Sequence, residues 1–227
     1  MADAEIWNAV LLASLWLGYF VLHSALASFH AKTRIARAFP GWVPFYRVSY
    51  NVFSLLTLLP IIWLLFHRPG TELWSWDGRW SYLANGLALA ALVGFACSAH
   101  HYDMEEFIGW RRGKTRPSDI EEADSLRISP FHRHVRHPWY AFGLVLIWTR
   151  DMNVAMLVSA VLLTAYLFIG AHLEEKRLIK RHGDAYRRYM QRVPGLIPLP
   201  GKSISAQEAA ELVSMSEDKA NNDRFLK

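Results

Sequence analysis

Certain polar side chains of this chain sit beside apolar runs, where polar residues are costly. In "RHPWYAFG", residues 136–143, Arg136, His137 and Tyr140 are spaced to share one face at the start of a helix. Pro138 suits a first helical turn, where its missing N–H is no loss. Gly143 lets a ligand or a second helix come close to the backbone. About 30 residues on, in "AHLEEKRLIKRHGDAYRRYMQRVPGLIPLP", Glu174 and Glu175 lie where another apolar helix should leave a bilayer. Carboxylates at that depth carry a desolvation cost and need cations, which Arg136 and His137 are placed to supply. Gly183 reads as a helix terminator, followed by Tyr186 and Tyr189. Side chains of these types bind charged groups and move protons.

Other polar residues have plainer readings. Arg177, Lys180, Arg181, Arg187 and Arg188 read as interface residues that snorkel or form surface pairs. His23, inside the first apolar run, either hydrogen-bonds a neighbouring helix or lines a substrate path. Cys97, the single cysteine, reads as a small buried apolar residue. Histidines at 100–101 and in "HRHVRH", 132–137, raise metal chemistry of the membrane di-iron type. The arginines within that run would repel a cation, and His23, His30, His67 and His182 are scattered. No metal site is expected.

The elements that must position these residues are membrane helices. Of 227 residues, 52% are hydrophobic and only 20% charged, and the apolar residues are clustered. A crossing helix needs about 20 apolar residues. Ile6–Ser28, Val43–Phe66 (with Pro60 as a kink) and Trp80–His100 qualify. The first run lacks a basic leader and reads as a retained helix. Trp139–Trp148 is too short to cross alone and pairs, through "TRD", with Met152–Leu173 as a tight helical hairpin. The fold class is therefore all-α: a polytopic membrane helical bundle of about five transmembrane helices with a C-terminal hairpin.

Four regions follow: three N-terminal helices in 1–101, a cytoplasmic connection in 102–136, the hairpin and C-terminal segment in 137–200, and a polar, partly disordered tail in 201–227. "MEEFIGWRRG" in the connection reads as a short interfacial helix. In the tail, Ser205 and Glu208 form a capping box ahead of a short helix over "AAELV". The formal charge of +5 does not point to nucleic acid, because the basic residues flank the apolar runs. Lys32, Arg34 and Arg37, the basic residues of 102–136 and the basic stretch after Leu173 put those segments in the cytoplasm, leaving the N-terminus outside.

"SPFHRHVRHPWYAFG" followed by "EEKRLIKRHGDAYRRYMQRVPGLIP" resembles the isoprenylcysteine carboxyl methyltransferase family and its bacterial phospholipid and methanethiol methyltransferase relatives. "HSALAS" with "YRVSYN" at 46–51 resembles a bacterial, methanethiol-methylating or nurim-like subgroup. The pattern covers residues 129–200 and departs at Ser129, Phe131 and His182. It implies a membrane methyltransferase dependent on S-adenosyl-L-methionine, acting on a lipid-like or small hydrophobic acceptor drawn from the bilayer. It also implies that Arg136 and Glu174 are the catalytic residues. The cofactor residues implied are His132, Val135, His137, Pro138, Tyr140, Gly143, Glu175, Tyr186 and Tyr189. Arg136 and His137 would meet the carboxylate, Glu174 or Glu175 the ammonium or ribose, and Tyr140 and Tyr186 the sulfonium. If the acceptor is a thiol or amine, His137 or Glu175 becomes the base. His23 and Asn51 would line the acceptor's path. A non-catalytic scaffold of the same fold and a histidine-metal oxidoreductase are the competing classes.

Overall fold

The computed structural model describes residues 2–99 and 126–225. The interfacial helix expected at 104–113, the histidine pair at 100–101 and most of the 102–136 connection lie outside the described residues. Eight α-helices and two short 3-10 helices make up 79% of the described chain. The α-helices are α1 (Ala2–Ala27), α2 (Phe29–Ala38), α3 (Tyr46–His67), α4 (Arg79–Ala99), α5 (Pro138–Trp148), α6 (Val154–His182), α7 (Asp184–Arg192) and α8 (Ala206–Phe225). Two short strands, β1 (Glu72–Trp74) and β2 (Met152–Asn153), pair antiparallel.

Four segments are long and apolar enough to cross a membrane: Asp3–Ala27, Pro40–His67, Arg79–Ala99 and Val154–His182. The fifth expected span is the shorter apolar helix Pro138–Trp148. Trp7 and Phe66 are 72% and 80% exposed, and long apolar side chains such as Leu89 and Ile169 also point outward. Such surfaces are compatible with lipid and not with water, so this is an integral membrane protein. Cys97, expected to be buried, is exposed on α4. In a membrane helix the outer face is as apolar as the inner one, so residue type does not reveal burial.

The described residues form two compact units, one of 2–86 and 147–164, the other of 87–99, 126–146 and 165–225. In the first, α1 packs on α3. Leu12, Trp16, Phe20, Ile61 and Leu64 are buried there. Trp16 Nε1 donates to Ser159 Oγ at 2.8 Å, and Ser159 donates on to the Ala155 carbonyl at 2.9 Å. His23 meets the hydroxyls of Tyr50 at 2.8 Å and Ser54 at 3.2 Å and stacks on Tyr19. Near the start of α1, Glu5 accepts from the Thr71 N–H at 2.6 Å. This contact borders a cleft of about 310 Å³ that also includes Asn8 and Arg68.

The second unit is built around Leu126, Tyr186, Tyr189, Val193, Ile204 and Ala209. Here α8 packs on α7. The capping box forms: the Glu208 N–H donates to Ser205 Oγ at 3.1 Å, and the Ser205 N–H donates to Glu208 Oε2 at 2.8 Å. The helix it starts runs on to Phe225, well beyond "AAELV". Tertiary contacts account for the extra length. Ala209 and Leu212 join the core, Ser216 meets His182 at 2.6 Å, and Lys219 donates to the Arg181 carbonyl at 3.2 Å. An isolated helix of this polarity would be marginal without them.

Candidate active site

Helix α5 is held on one side by α4. Trp139 Nε1 donates to the fully buried Ser98 at 2.9 Å, and Phe142 lies against Phe95 and Gly94. A Cβ at Gly94 would come within 2.6 Å of the Phe142 ring, so the absence of a side chain there lets the helices close. Trp139 and Phe142 are three residues apart and share this face. The polar residues face α6 instead.

Helix α6 stops at Gly183, whose φ of +60° disfavours any residue with a Cβ. The chain turns into α7 and then comes back as an extended segment alongside Arg136. The Arg136 N–H donates to the Pro194 carbonyl at 2.9 Å, and the His137 N–H donates to the Gly195 carbonyl at 3.0 Å. Tyr189 donates its hydroxyl to the His132 carbonyl at 2.5 Å, and the Ile204 N–H donates to the Arg133 carbonyl at 3.1 Å. The two halves of the sequence pattern are thereby joined backbone to backbone.

The guanidinium of Arg136 is enclosed at this junction. Its Nε and Nη2 approach Glu175 Oε1 at 2.8 and 2.7 Å. Its Nη1 donates to the Met190 carbonyl at 3.2 Å and to the Val193 carbonyl. Tyr186, buried in the core, feels the charge of the guanidinium. An arginine has five N–H donors, so little capacity is left over. The Arg136 and Glu175 side chains are each 10% exposed. A Cβ at Gly195 would stand 3.3 Å from Nη2, so this glycine leaves the guanidinium the room it needs.

His137 lies between the two glutamates. Its Nε2 meets Glu175 Oε1 at 3.1 Å, while Nδ1 is 3.5 Å from Glu174 Oε2. Tyr140 stacks on the imidazole with rings 8° from parallel and points its hydroxyl at Glu174, 3.4 Å away. Burial opposes the charged form of His137. Hydrogen bonds and charge from Glu174 and Glu175 outweigh it and raise the pKa above the ordinary 6.5. His132 behaves oppositely. Burial first, and the charge of His137 second, push it down to about 4. Its Nδ1 lies 2.7 Å from Ser129 Oγ. The Glu174 side chain is 39% exposed and is the open edge of the cluster.

The structure thus brings Arg136, His137, Tyr140, Glu174 and Glu175 together. Val135 and Pro138 are buried beside them, and Gly143 has Leu167 4.0 Å from where its Cβ would be. Tyr186 and Tyr189 are each 2% exposed and packed edge to face in the core. The Tyr186 ring packs against Tyr189 among Leu126, Val193 and Ile204. His23 and Asn51 belong to the other unit. Sequence reasoning missed Gly195 and the carbonyls of Met190 and Val193. The "VPG" exit was a signal for the glycine, whereas carbonyl acceptors leave no trace in residue type. Among the described residues, no three His, Cys, Asp or Glu side chains converge as a metal would require.

No protein-family model and no solved structure matches the chain. Curated relatives do. Methanethiol S-methyltransferase of Crocosphaera subtropica is 32% identical over 195 residues, which are 82% of this chain and 73% of the relative. The enzyme of that name from a Pseudomonas strain is 30% identical, over 84% of this chain and 74% of its own. Methanethiol S-methyltransferase 2 of Bradyrhizobium diazoefficiens is 31% identical, over 87% and 76%. Apolar helices of crossing length, together with these relatives, define a membrane methyltransferase. The chain belongs to the methanethiol S-methyltransferase family, within the isoprenylcysteine carboxyl methyltransferase-like membrane enzymes.

Proposed function

We propose that the chain methylates a small hydrophobic thiol, methanethiol or a near homologue, using S-adenosyl-L-methionine at the cytoplasmic face of the membrane. The observation that carries this reading is the cluster around His137, which sets a tuned base beside a half-open carboxylate. The relatives' names supply the acceptor. The donor set fits the cofactor: Glu174 is an exposed anion for an ammonium, and Tyr140 offers a ring to a cation. Bound there, the cofactor supplies a methyl group on a positively charged sulfur.

The chain's own residues hold and move the proton. In neutral His137, Nε2–H donates to Glu175, so Nδ1 carries the lone pair on the side of Glu174 and Tyr140. This is the arrangement of a base oriented by a carboxylate. Nδ1 takes the thiol proton and Glu175 steadies the imidazolium. Arg136 holds Glu175 in place, and the surrounding apolar helices limit water. The lysines and arginines of 29–42 and of the stretch after Leu173 support a cytoplasmic site.

Two pH profiles with opposite slopes follow from the raised pKa of His137. The stability that its charged form contributes is complete below 6.5 and is lost as pH rises through the raised folded value. The neutral form needed for proton transfer appears over the same rise. Thermal midpoints should therefore fall, and kcat/KM should climb, across one window above 6.5. In His137→Gln both slopes should flatten there. Parallel slopes in the native protein would exclude His137 as the base.

The reading is tested with the full chain in detergent, methyl-labelled adenosylmethionine and methanethiol, with dimethyl sulfide measured by gas chromatography. Labelled dimethyl sulfide is expected. Label passing only to added lipid would overturn the acceptor. No calorimetric heat with adenosylhomocysteine would overturn the donor; bound iron would then favour the oxidoreductase, and its absence the scaffold.

A further inference from the structure

The strongest cation of the cluster is already committed. Arg136 spends its donors on Glu175, Met190 and Val193. Little of it remains for a ligand's carboxylate. A donor bound at this cluster nevertheless brings an α-amino-acid end, a carboxylate and an ammonium on one carbon. The ammonium has Glu174. The carboxylate needs another cation.

Arg177 meets that need. It lies three residues after Glu174 on α6, so the two share a face with Cβ atoms about 5–6 Å apart. Its side chain is exposed and makes no hydrogen bond or ion pair among the described residues. It acts electrostatically on both Glu174 and Tyr140, so it is within reach of the cluster's open edge. Lys176 and Arg181 are not its equals. Lys176 projects about 100° around the helix from Arg177, and Arg181 already has partners. A carboxylate held by a planar guanidinium, next to an ammonium held by Glu174, is neutralised charge for charge.

We propose that Arg177 is the residue that recognises the carboxylate of the methyl donor, with Arg136 confined to organising the cluster. The proposal rests on the reading of the site as an adenosylmethionine site. It makes Glu174 and Arg177 a matched pair for the amino-acid end of the ligand, and it assigns to the site a residue that reads in sequence as a snorkelling surface arginine.

The test uses the full-length protein in detergent and two probes, adenosylhomocysteine and its decarboxylated analogue. Arg177→Ala should weaken adenosylhomocysteine by about tenfold or more, the worth of a charge-assisted hydrogen bond. It should leave affinity for the decarboxylated analogue within about twofold of the native protein's, because that probe has nothing for Arg177 to hold. Arg177→Lys should recover part of the loss. Equal losses for both probes, or unchanged adenosylhomocysteine affinity, would overturn the assignment while leaving the donor site standing. Failure of the native protein to bind adenosylhomocysteine would overturn both.

Discussion

Replacing Arg136 with alanine should cost roughly 3–5 kcal/mol, because it strands Glu175 as a buried charge without its partner. Both side chains are only 10% exposed, so water offers little relief. The carbonyls of Met190 and Val193 lose a donor at the same time. For a chain of this size the thermal midpoint should fall by about 10 °C. Arg136→Lys should recover only part of this. An ammonium is a point charge and cannot reach Glu175 and two carbonyls in the fork geometry of a guanidinium. The double variant Arg136→Met with Glu175→Leu should be more stable than Arg136→Ala alone, since no charge is then orphaned. Unfolding followed by intrinsic tryptophan fluorescence in detergent reads all three. A midpoint for Arg136→Ala within about 2 °C of native would mean that the junction between the two motifs does not depend on this pair.

His137→Gln should be the most damaging change to turnover. Removing a positioned base lowers kcat by about 10²–10⁴. Glutamine keeps a donor for Glu175, so the fold should survive, and affinity for adenosylhomocysteine should change by less than about threefold, well under the worth of a lost charged contact. The contrast with Arg136→Ala is the informative part: one variant loses stability, the other loses rate. A His137→Gln enzyme with near-native kcat would remove the imidazole from the reaction and leave it as a buried link between Glu174 and Glu175. Loss of adenosylhomocysteine binding without loss of stability would make it a cofactor contact instead.

Both expectations depend on which partner each charge found, and that was only partly legible in the chain. Cations at 136 and 137 and acids at 174 and 175 could be paired by depth alone, since apolar helices force buried charges together. Depth does not decide between adjacent glutamates. They point about 100° apart around α6, and packing assigned Glu175 to Arg136 and left Glu174 half open. Tyr186 and Tyr189 were visible as a spaced pair, but a tyrosine's type does not tell whether its ring faces a ligand or the core. Packing with Leu126, Val193 and Ile204 buried both rings in the core, and the return of residues 193–195 onto Arg136 used carbonyls that every residue possesses. The C-terminal helix was legible only at its cap, because Ser205 and Glu208 act locally, whereas its length depends on contacts with α7 and His182.

The amino-acid sequence by itself determined that this is a helical membrane protein with a short hairpin arm, where its polar cluster lies along the chain, and to which family it is kin. Those properties are written in local composition and short motifs: runs of apolar residues long enough to cross a bilayer, charges placed at their ends, and a pattern of fixed spacing. Only the tertiary structure decided that Arg136 is spent on Glu175 and two carbonyls, that Gly195 makes room for it, that Tyr186 is buried in the core, and that Arg177 stands exposed beside Glu174. Those are matters of which donor meets which acceptor. Such choices are made by close packing among segments far apart in the chain, and residue type constrains them without selecting among them.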